Sequence, residues 1–470
     1  MPYVPVTYLE ANAASGPNRP AVLDSGRAVT FGELVERVHA AASALAGQGV
    51  GEGDVVAVSL PNVWEYVALE LAIPLLGAIV MPLPLTLGAA ERRWAMERAR
   101  PVLLVEQAEA ERLCSAPFLR KLPPPPADPR RVAEIALTSG TTGLPKLASL
   151  HAGLKQATFE AFTSRLLVTA DDRVLVMSPL MQGIGGMCLY CLRRGAALVM
   201  LRQPRFTAEH TLAVAAQTRS TLLVGVPTNV IRMLESTALE GTDLSAARCT
   251  AVAGAPMPPS VARAWEEATG SAVCIFYGSM DAGQLAVGSP ADPAEKRWTT
   301  VGRPHDCAEL MITEEGEICM RGATVQERYW GEDRGPFADD GWAHMGDLGH
   351  MDGDGYLHVT GRLKDIVIRG GTNINPTEVE EALRSHPAVA DVCVVGRPDR
   401  DLGERAQAFV VARAPVTLDD LRAHLDGRGL ARYKWPEFLE EVPELPLAGP
   451  GKVDRRRLRE LAAQNVASRP

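Results

Sequence analysis

Short apolar runs punctuate the first half of the chain, at Val55 to Leu60, Pro101 to Val105, Arg173 to Met177, Ala196 to Leu201 and Thr221 to Gly225. Helical patterns such as Phe31 to Gln48 separate most of them. This alternation constrains the fold most, because buried parallel strands need helical crossovers to return the chain, and the result is a doubly wound α/β arrangement of layers. At 470 residues and 46% hydrophobic the chain exceeds what one core sustains, so two or more domains are expected. Asn62 to Leu76 reads as a helix and Ala78 to Met81 as the strand that follows it. Tyr66 to Leu85 is apolar enough to raise the question of a membrane, but Glu70, Pro74, Pro82 and Pro84 interrupt it, so no membrane insertion is expected.

Thr138-Ser-Gly-Thr-Thr-Gly-Leu-Pro-Lys146 follows directly on the apolar run Ile135 to Leu137. Gly140 and Gly143 let backbone N–H groups approach an anion, Thr138, Ser139, Thr141 and Thr142 supply hydroxyl donors, and Lys146 adds a charge. A polyphosphate is the expected ligand. The pattern is not G-x-x-x-x-G-K-[ST], since Pro145 separates the glycines from Lys146, so a different nucleotide chemistry is indicated.

The net charge of -9 argues against nucleic acid as a main partner. Eight scattered cysteines, and a start (Met1-Pro-Tyr-Val-Pro5) without a basic or apolar leader, make the cytoplasm the expected location. Cys188 and Cys191 form a lone C-x-x-C with no second pair, and the segment reads as a buried helix. Lys121 to Arg130, with prolines at 123 to 126, reads as a surface loop. A Gly/Asp-rich turn at Asp352 to Gly355 precedes a boundary near Gly361 to Lys364, after which the pattern becomes α+β. Two domains follow, residues 1–363 and 364–470.

Further motifs stand in an order that, with the phosphate loop, resembles the adenylate-forming superfamily of acyl- and aryl-CoA synthetases, peptide-synthetase adenylation domains and luciferases. The resemblance runs from Thr30-Phe-Gly-Glu-Leu34 to Lys452. It implies a large N-terminal domain of layered α/β sheets plus a β-barrel-like part, hinged to a small α+β C-terminal domain. Gly254-Ala255-Pro256 and Tyr277-Gly278 look like the segments that hold adenine, with the Tyr277 ring on the base. Asp347 looks like the ribose-binding aspartate and Arg362 like its companion on ribose or phosphate. Lys364 matches the hinge, and Arg369 to Asn375 the segment that would face a second acceptor. Lys452, on the loop from Pro446, matches the catalytic lysine. Lys452, Thr142 and Asp281 are therefore the implied catalytic residues, Asp281 also being the implied Mg²⁺ ligand. Gln182, Gly183, Gly186, Ala253, Ser279 and Met280 are the implied substrate pocket.

Three positions depart from the family pattern. Gln182 replaces a histidine, so no cation is offered to the acid there. Met280 stands where a threonine or small residue is usual, and Asp281 where a glutamate is usual, one methylene shorter. His151 is displaced by one residue from a histidine common in relatives and reads as a helix-start surface residue.

The resemblance implies ATP-dependent adenylation of an acid, aromatic or otherwise small, with release of pyrophosphate, then transfer to the thiol of CoA or a carrier-protein phosphopantetheine. Pro145-Lys146-Leu147 and Arg369-Gly-Gly-x-Asn-Ile374 tilt toward the aryl-acid branch. Two alternatives remain at this point: a diazotase that adenylates nitrite for attack by an aryl amine, and a degenerate member that binds nucleotide without turnover.

Overall fold

The computed structural model describes residues 5–138, 146–203, 206–280, 282–449 and 452–467. The chain forms two compact units, residues 1–311 with 319–344, and residues 312–318 with 345–470.

In the first unit the apolar runs become two mixed sheets. The larger has nine strands among the described residues. Its centre is parallel, with Ala272–Ser279, Cys249–Val252, Leu222–Gly225, Arg173–Val176, Ala197–Met200 and Pro20–Asp24 side by side. These strands are almost wholly buried, which is why they read as continuous apolar runs. Antiparallel pairs finish both edges, Arg27–Thr30 at one and Gly283–Val287 with Arg303–Pro304 at the other. The second sheet has five strands, in which Leu103–Val105, Val55–Val58, Ile79–Pro82 and Val132–Leu137 run parallel and Leu147–His151 returns antiparallel.

Helices cover the sheets through apolar faces. Phe31–Gly47 starts at Thr30, whose Oγ1 accepts from the Glu33 N–H at 3.1 Å, and buries Phe31, Leu34, Val35, Val38 and Leu45. It packs on Trp64–Leu75, a helix buried on nearly all sides that carries Glu70 inward. Among the described residues no helix is long and apolar enough to cross a membrane.

His305, in the first unit, is 5% exposed and its Nε2 has no hydrogen-bond partner. Burial, with Arg165 nearby, pushes its pKa down to about 4. The folded state thus holds His305 neutral where an unfolded chain, with an imidazole pKa of about 6.5, would bind a proton. Stability is full above that value and falls as pH drops from there toward 4, by up to about 3 kcal/mol. His305→Leu is expected to remove most of that part of the acid destabilisation, read as the difference in urea midpoint between pH 7 and pH 4.5. An unchanged difference would show that His305 is not held neutral.

The second unit has its own core. Val389–Asp399 and Gly403–Ala412 form a long antiparallel pair, flanked by Val367–Arg369, Thr372–Ile374 and Phe438–Glu441. Helices Pro376–Arg384 and Leu418–Gly427 contribute Val379, Leu383, Leu421 and Leu425 to it. The terminal helix Arg455–Ala467 is fixed at its start, where Arg455 Nη2 donates to both oxygens of buried Glu380 at 2.7 Å. Arg455 Nη1 meanwhile donates to the Val394 carbonyl at 2.9 Å, so the guanidinium is held at two points by charge-assisted bonds.

Candidate active site

Four neighbouring parallel strands set the geometry of the first unit's site. At the carboxyl end of Arg173–Val176 the chain runs through Pro179 to Gln182, and at that of Cys249–Val252 it runs into Ala253 to Pro256. Ala272–Ser279 itself ends in Tyr277, Gly278 and Ser279, with Met280 next. Strand Leu222–Gly225 lies between the first two. Ligands of open α/β sheets bind at this edge, because crossovers leave a crevice there.

Local chemistry fixes each segment. Asn62 Nδ2 donates to the Ser178 carbonyl at 2.9 Å and its Oδ1 accepts from the Leu180 N–H at 2.8 Å, so the loop before Gln182 is pinned at both ends. Gln182 precedes helix Gly183–Arg193, in which a Cβ on Gly185 would lie 2.0 Å from the Pro179 carbonyl oxygen. Gly254 has φ +87°, a left-handed conformation that favours glycine, and is exposed at the strand end. Tyr277 is 9% exposed on its strand, while Gly278 and Ser279 are open to solvent. Ser279 Oγ accepts from the Ala282 N–H at 2.9 Å.

Strands Val132–Leu137 and Leu147–His151 flank the phosphate loop as an antiparallel pair, so the loop joins two strands rather than a strand and a helix. The Thr138 N–H donates to the Lys146 carbonyl at 2.9 Å, and Thr138 Oγ1 accepts from the Lys146 N–H at 3.2 Å, closing the base of the loop. Lys146 Nζ lies 4.4 Å from the centre of the Tyr329 ring and donates to its hydroxyl at 3.1 Å. Ser139, Gly140, Thr141, Thr142, Gly143 and Asp281 lie outside the described residues, as does the Lys452 side chain.

A cavity of about 90 Å³ opens among these elements. Gln182, Gly183, Gly186 and Met280 line it; Ala253 and Ser279 do not. Deeper residues were not anticipated from sequence: Tyr66, Glu70, Glu134, Lys155, Tyr190 and Arg193 also line it. Lys155 Nζ donates to Glu70 Oε1 at 3.1 Å and to Glu134 Oε2, with Lys155 and Glu70 4% and 6% exposed. Burial lifts the Glu70 carboxyl to about 7 against the pull of Lys155, and the Glu134 charge adds to the rise. Glu70 interrupts an apolar helix in the sequence, and that was the available signal.

In the second unit Asp347 and Arg362 lie directly opposite each other on strands Ala343–Met351 and Leu357–Arg362. Arg362 Nε is 2.9 Å from Asp347 Oδ1, with side-chain exposures of 39% and 9%. Lys364 sits on the short turn Leu363–Asp365 that follows, and residues 345–363 pack within this unit. Burial, with the Arg362 charge, lowers the Lys364 pKa. The Lys452 backbone is held in a hairpin, opposite Gly449, three residues before the anchored Arg455.

Residues 9–330 match the AMP-binding enzyme family and residues 378–452 match the AMP-binding enzyme C-terminal domain. The chain belongs to the AMP-binding enzyme family. It is 34% identical to a 3-[(3aS,4S,7aS)-7a-methyl-1,5-dioxo-octahydro-1H-inden-4-yl]propanoyl:CoA ligase of Mycobacterium tuberculosis, over 95% of this chain and 96% of that one. It is 32% identical to a sulfoacetate–CoA ligase of Cupriavidus necator, over 96% of both chains. ATP-bound MatB from Rhodopseudomonas palustris superposes with a TM-score of 0.87 at 27% identity, covering 98% of this chain and 99% of that one.

As a member of the AMP-binding family, and so of the adenylate-forming superfamily, the protein is an acid-activating, AMP-forming ligase that uses ATP. The two relatives act on a bulky bicyclic propanoate and on a small sulfonate, so kinship does not define the acid. Neither nitrite activation nor nucleotide binding without turnover gains support from them. The C-x-x-C is structural: Cys188 and Cys191 are buried on helix Gly183–Arg193, and burial raises both thiols well above their ordinary range. His151 caps helix Ala152–Arg165 through Nδ1, which accepts from the Leu154 N–H at 3.1 Å, in keeping with a helix-start role.

Proposed function

We propose that the protein adenylates a small carboxylic acid, aromatic or aliphatic, and transfers the acyl group to CoA. The observation that carries this reading is the cavity beside Gln182 and Met280, at the carboxyl edge of the strands that also bear Tyr277 and Gly254. The adenine lies along Gly254-Ala255-Pro256 with its face on Tyr277 and Gly278 beside it. Polyphosphate lies in the loop from Thr138 to Lys146, and the acid enters past Gln182, Gly183 and Gly186.

A carboxylate is ionised at neutral pH, so its attack on the α-phosphorus needs no general base. The work of the protein is to bring two anions together and to stabilise charge at phosphorus. Lys452, Lys146 and the hydroxyl of Thr142 supply that stabilisation. Asp347 accepts from the ribose hydroxyls and Arg362 orients it, while Lys364 is the hinge at the start of residues 364–470. Mg²⁺, when bound, neutralises phosphate charge. Met280 offers only a thioether, which suits Mg²⁺ poorly, so Asp281 is the residue that would hold it.

CoA is the proposed thiol because relatives along the whole chain are CoA ligases. Pyrophosphate release is measured over aryl, aliphatic and β-amino acids and nitrite, each with and without CoA or an aryl amine. The expected result is release with one acid class and acyl-CoA formation when CoA is added. Release confined to nitrite with an aryl amine, or none with any acid, would sink the reading.

A further inference from the structure

The deep end of the cavity is polar where its middle is apolar, and two internal rulers say how far it lies from the chemistry. Helix Gly183–Arg193 runs along the cavity, with Gly183 at the Gln182 end and Arg193 near Glu70 at the other. Ten residues of helix span about 15 Å. Strand Val132–Leu137 gives a second measure: Glu134, Ala136 and Thr138 alternate onto one face, Glu134 within the polar cluster and Thr138 at the base of the phosphate loop. Four residues of strand span about 13 Å. Between the ends the walls are Leu150, Leu180, Met181 and Met187.

At the deep end the cations are already engaged. Lys155 binds Glu70 and Glu134, and the Arg193 guanidinium lies over the rings of Tyr190 and Phe159, at 4.9 and 5.2 Å. Glu70 Oε2 is different. It is buried, on a residue that lines the cavity, and no group meets it at hydrogen-bonding geometry, the Tyr66 hydroxyl one turn away interacting with the same carboxyl without closing a full bond to this oxygen. A buried carboxylate oxygen left this way is a standing demand for a donor. With Glu70 ionised the charges balance, Lys155 and Arg193 against Glu70 and Glu134. A charged group on the ligand would therefore leave the buried cluster with an unmatched charge, whereas a neutral hydroxyl would not.

Resting on the reading that this cavity takes the acid, we infer that the substrate is a hydroxy acid whose distal hydroxyl donates to Glu70 Oε2. Allowing for side-chain reach at both ends, its carboxyl and hydroxyl stand roughly 8–10 Å apart. Glu70 is then the specificity-determining residue, and Lys155 holds its carboxylate in place through Oε1. A site built to receive a hydroxyl discriminates against the methyl isostere, because the analogue leaves the buried acceptor unmet.

The test uses matched acids: 8-hydroxyoctanoate against nonanoate and nonanedioate, and 4-hydroxycinnamate against 4-methylcinnamate. Pyrophosphate release and calorimetric binding are read in parallel. The wild-type protein is expected to favour the hydroxy member of at least one pair by about tenfold or more in kcat/KM and in affinity. Glu70→Leu reverses that order, and Glu70→Gln, which keeps an amide oxygen as acceptor, retains part of it. Preference of the wild type for the methyl or dicarboxylic acid overturns the proposal, and needs no variant to fold. So does a ratio unchanged in Glu70→Leu, or absence of both binding and turnover. Hydroxyl-selective binding with no pyrophosphate release from any acid would remove the ligase reading and leave the subsite standing.

Discussion

Lys452→Ala is expected to slow pyrophosphate-forming adenylation about 10²–10³-fold, the cost of removing one preorganised donor from a developing anion. The same variant is expected to form thioester from a preformed acyl-adenylate at close to the wild-type rate. The two outcomes belong together, because Lys452 is assigned to one half-reaction only. Its backbone pairs with Gly449, and three residues later Arg455 Nη2 donates to Glu380, which ties this stretch to the second unit. On the proposed reading such a lysine is delivered or withdrawn with the second unit rather than by local loop motion. Measured by single-turnover quench with ATP plus acid and, separately, with synthetic adenylate plus CoA, equal losses in both halves would refute the assignment.

Asp347→Ala is expected to lower kcat/KM for ATP by about 10–100-fold, equivalent to about 1.5–3 kcal/mol for hydrogen bonds to a charged acceptor. It is also expected to erase the preference for ATP over 2′-deoxy-ATP, which a merely structural carboxylate would not influence. The fold should survive, for the partner left behind, Arg362, has a side chain 39% exposed and can reach water. Retained discrimination between the two nucleotides, with ATP use intact, would place ribose recognition elsewhere.

Much of the architecture was legible because it repeats. The runs at Arg173 to Met177 and Thr221 to Gly225 appear as parallel strands almost where the apolar pattern puts them, since a strand buried on both faces has few other compositions open to it. The helix over Asn62 to Leu76 was likewise plain from its length and apolar content, and it forms as Trp64–Leu75. The edge strands were less visible. Arg27–Thr30 and Gly283–Val287 are short, and pairing across a turn rather than composition makes them strands.

Sequence by itself determined the family and its use of ATP: a glycine- and hydroxyl-rich loop, Gly254-Ala255-Pro256, Asp347 and Lys452 carry the resemblance, each legible within a few residues because backbone approach and a single functional group are local properties. Only the tertiary structure decided the cavity proposed to take the acid. Glu70, Glu134, Lys155 and Arg193 come from two helices, a strand and a third helix, as many as 123 residues apart in the chain, and no spacing rule links them. What unites them is mutual compensation of buried charge, which costs too much for any of them alone and is satisfied only when packing brings all four to one place. Glu70 could be noticed as a charge inside an apolar helix; that it faces a cavity with an oxygen still lacking a donor is a fact of the folded chain.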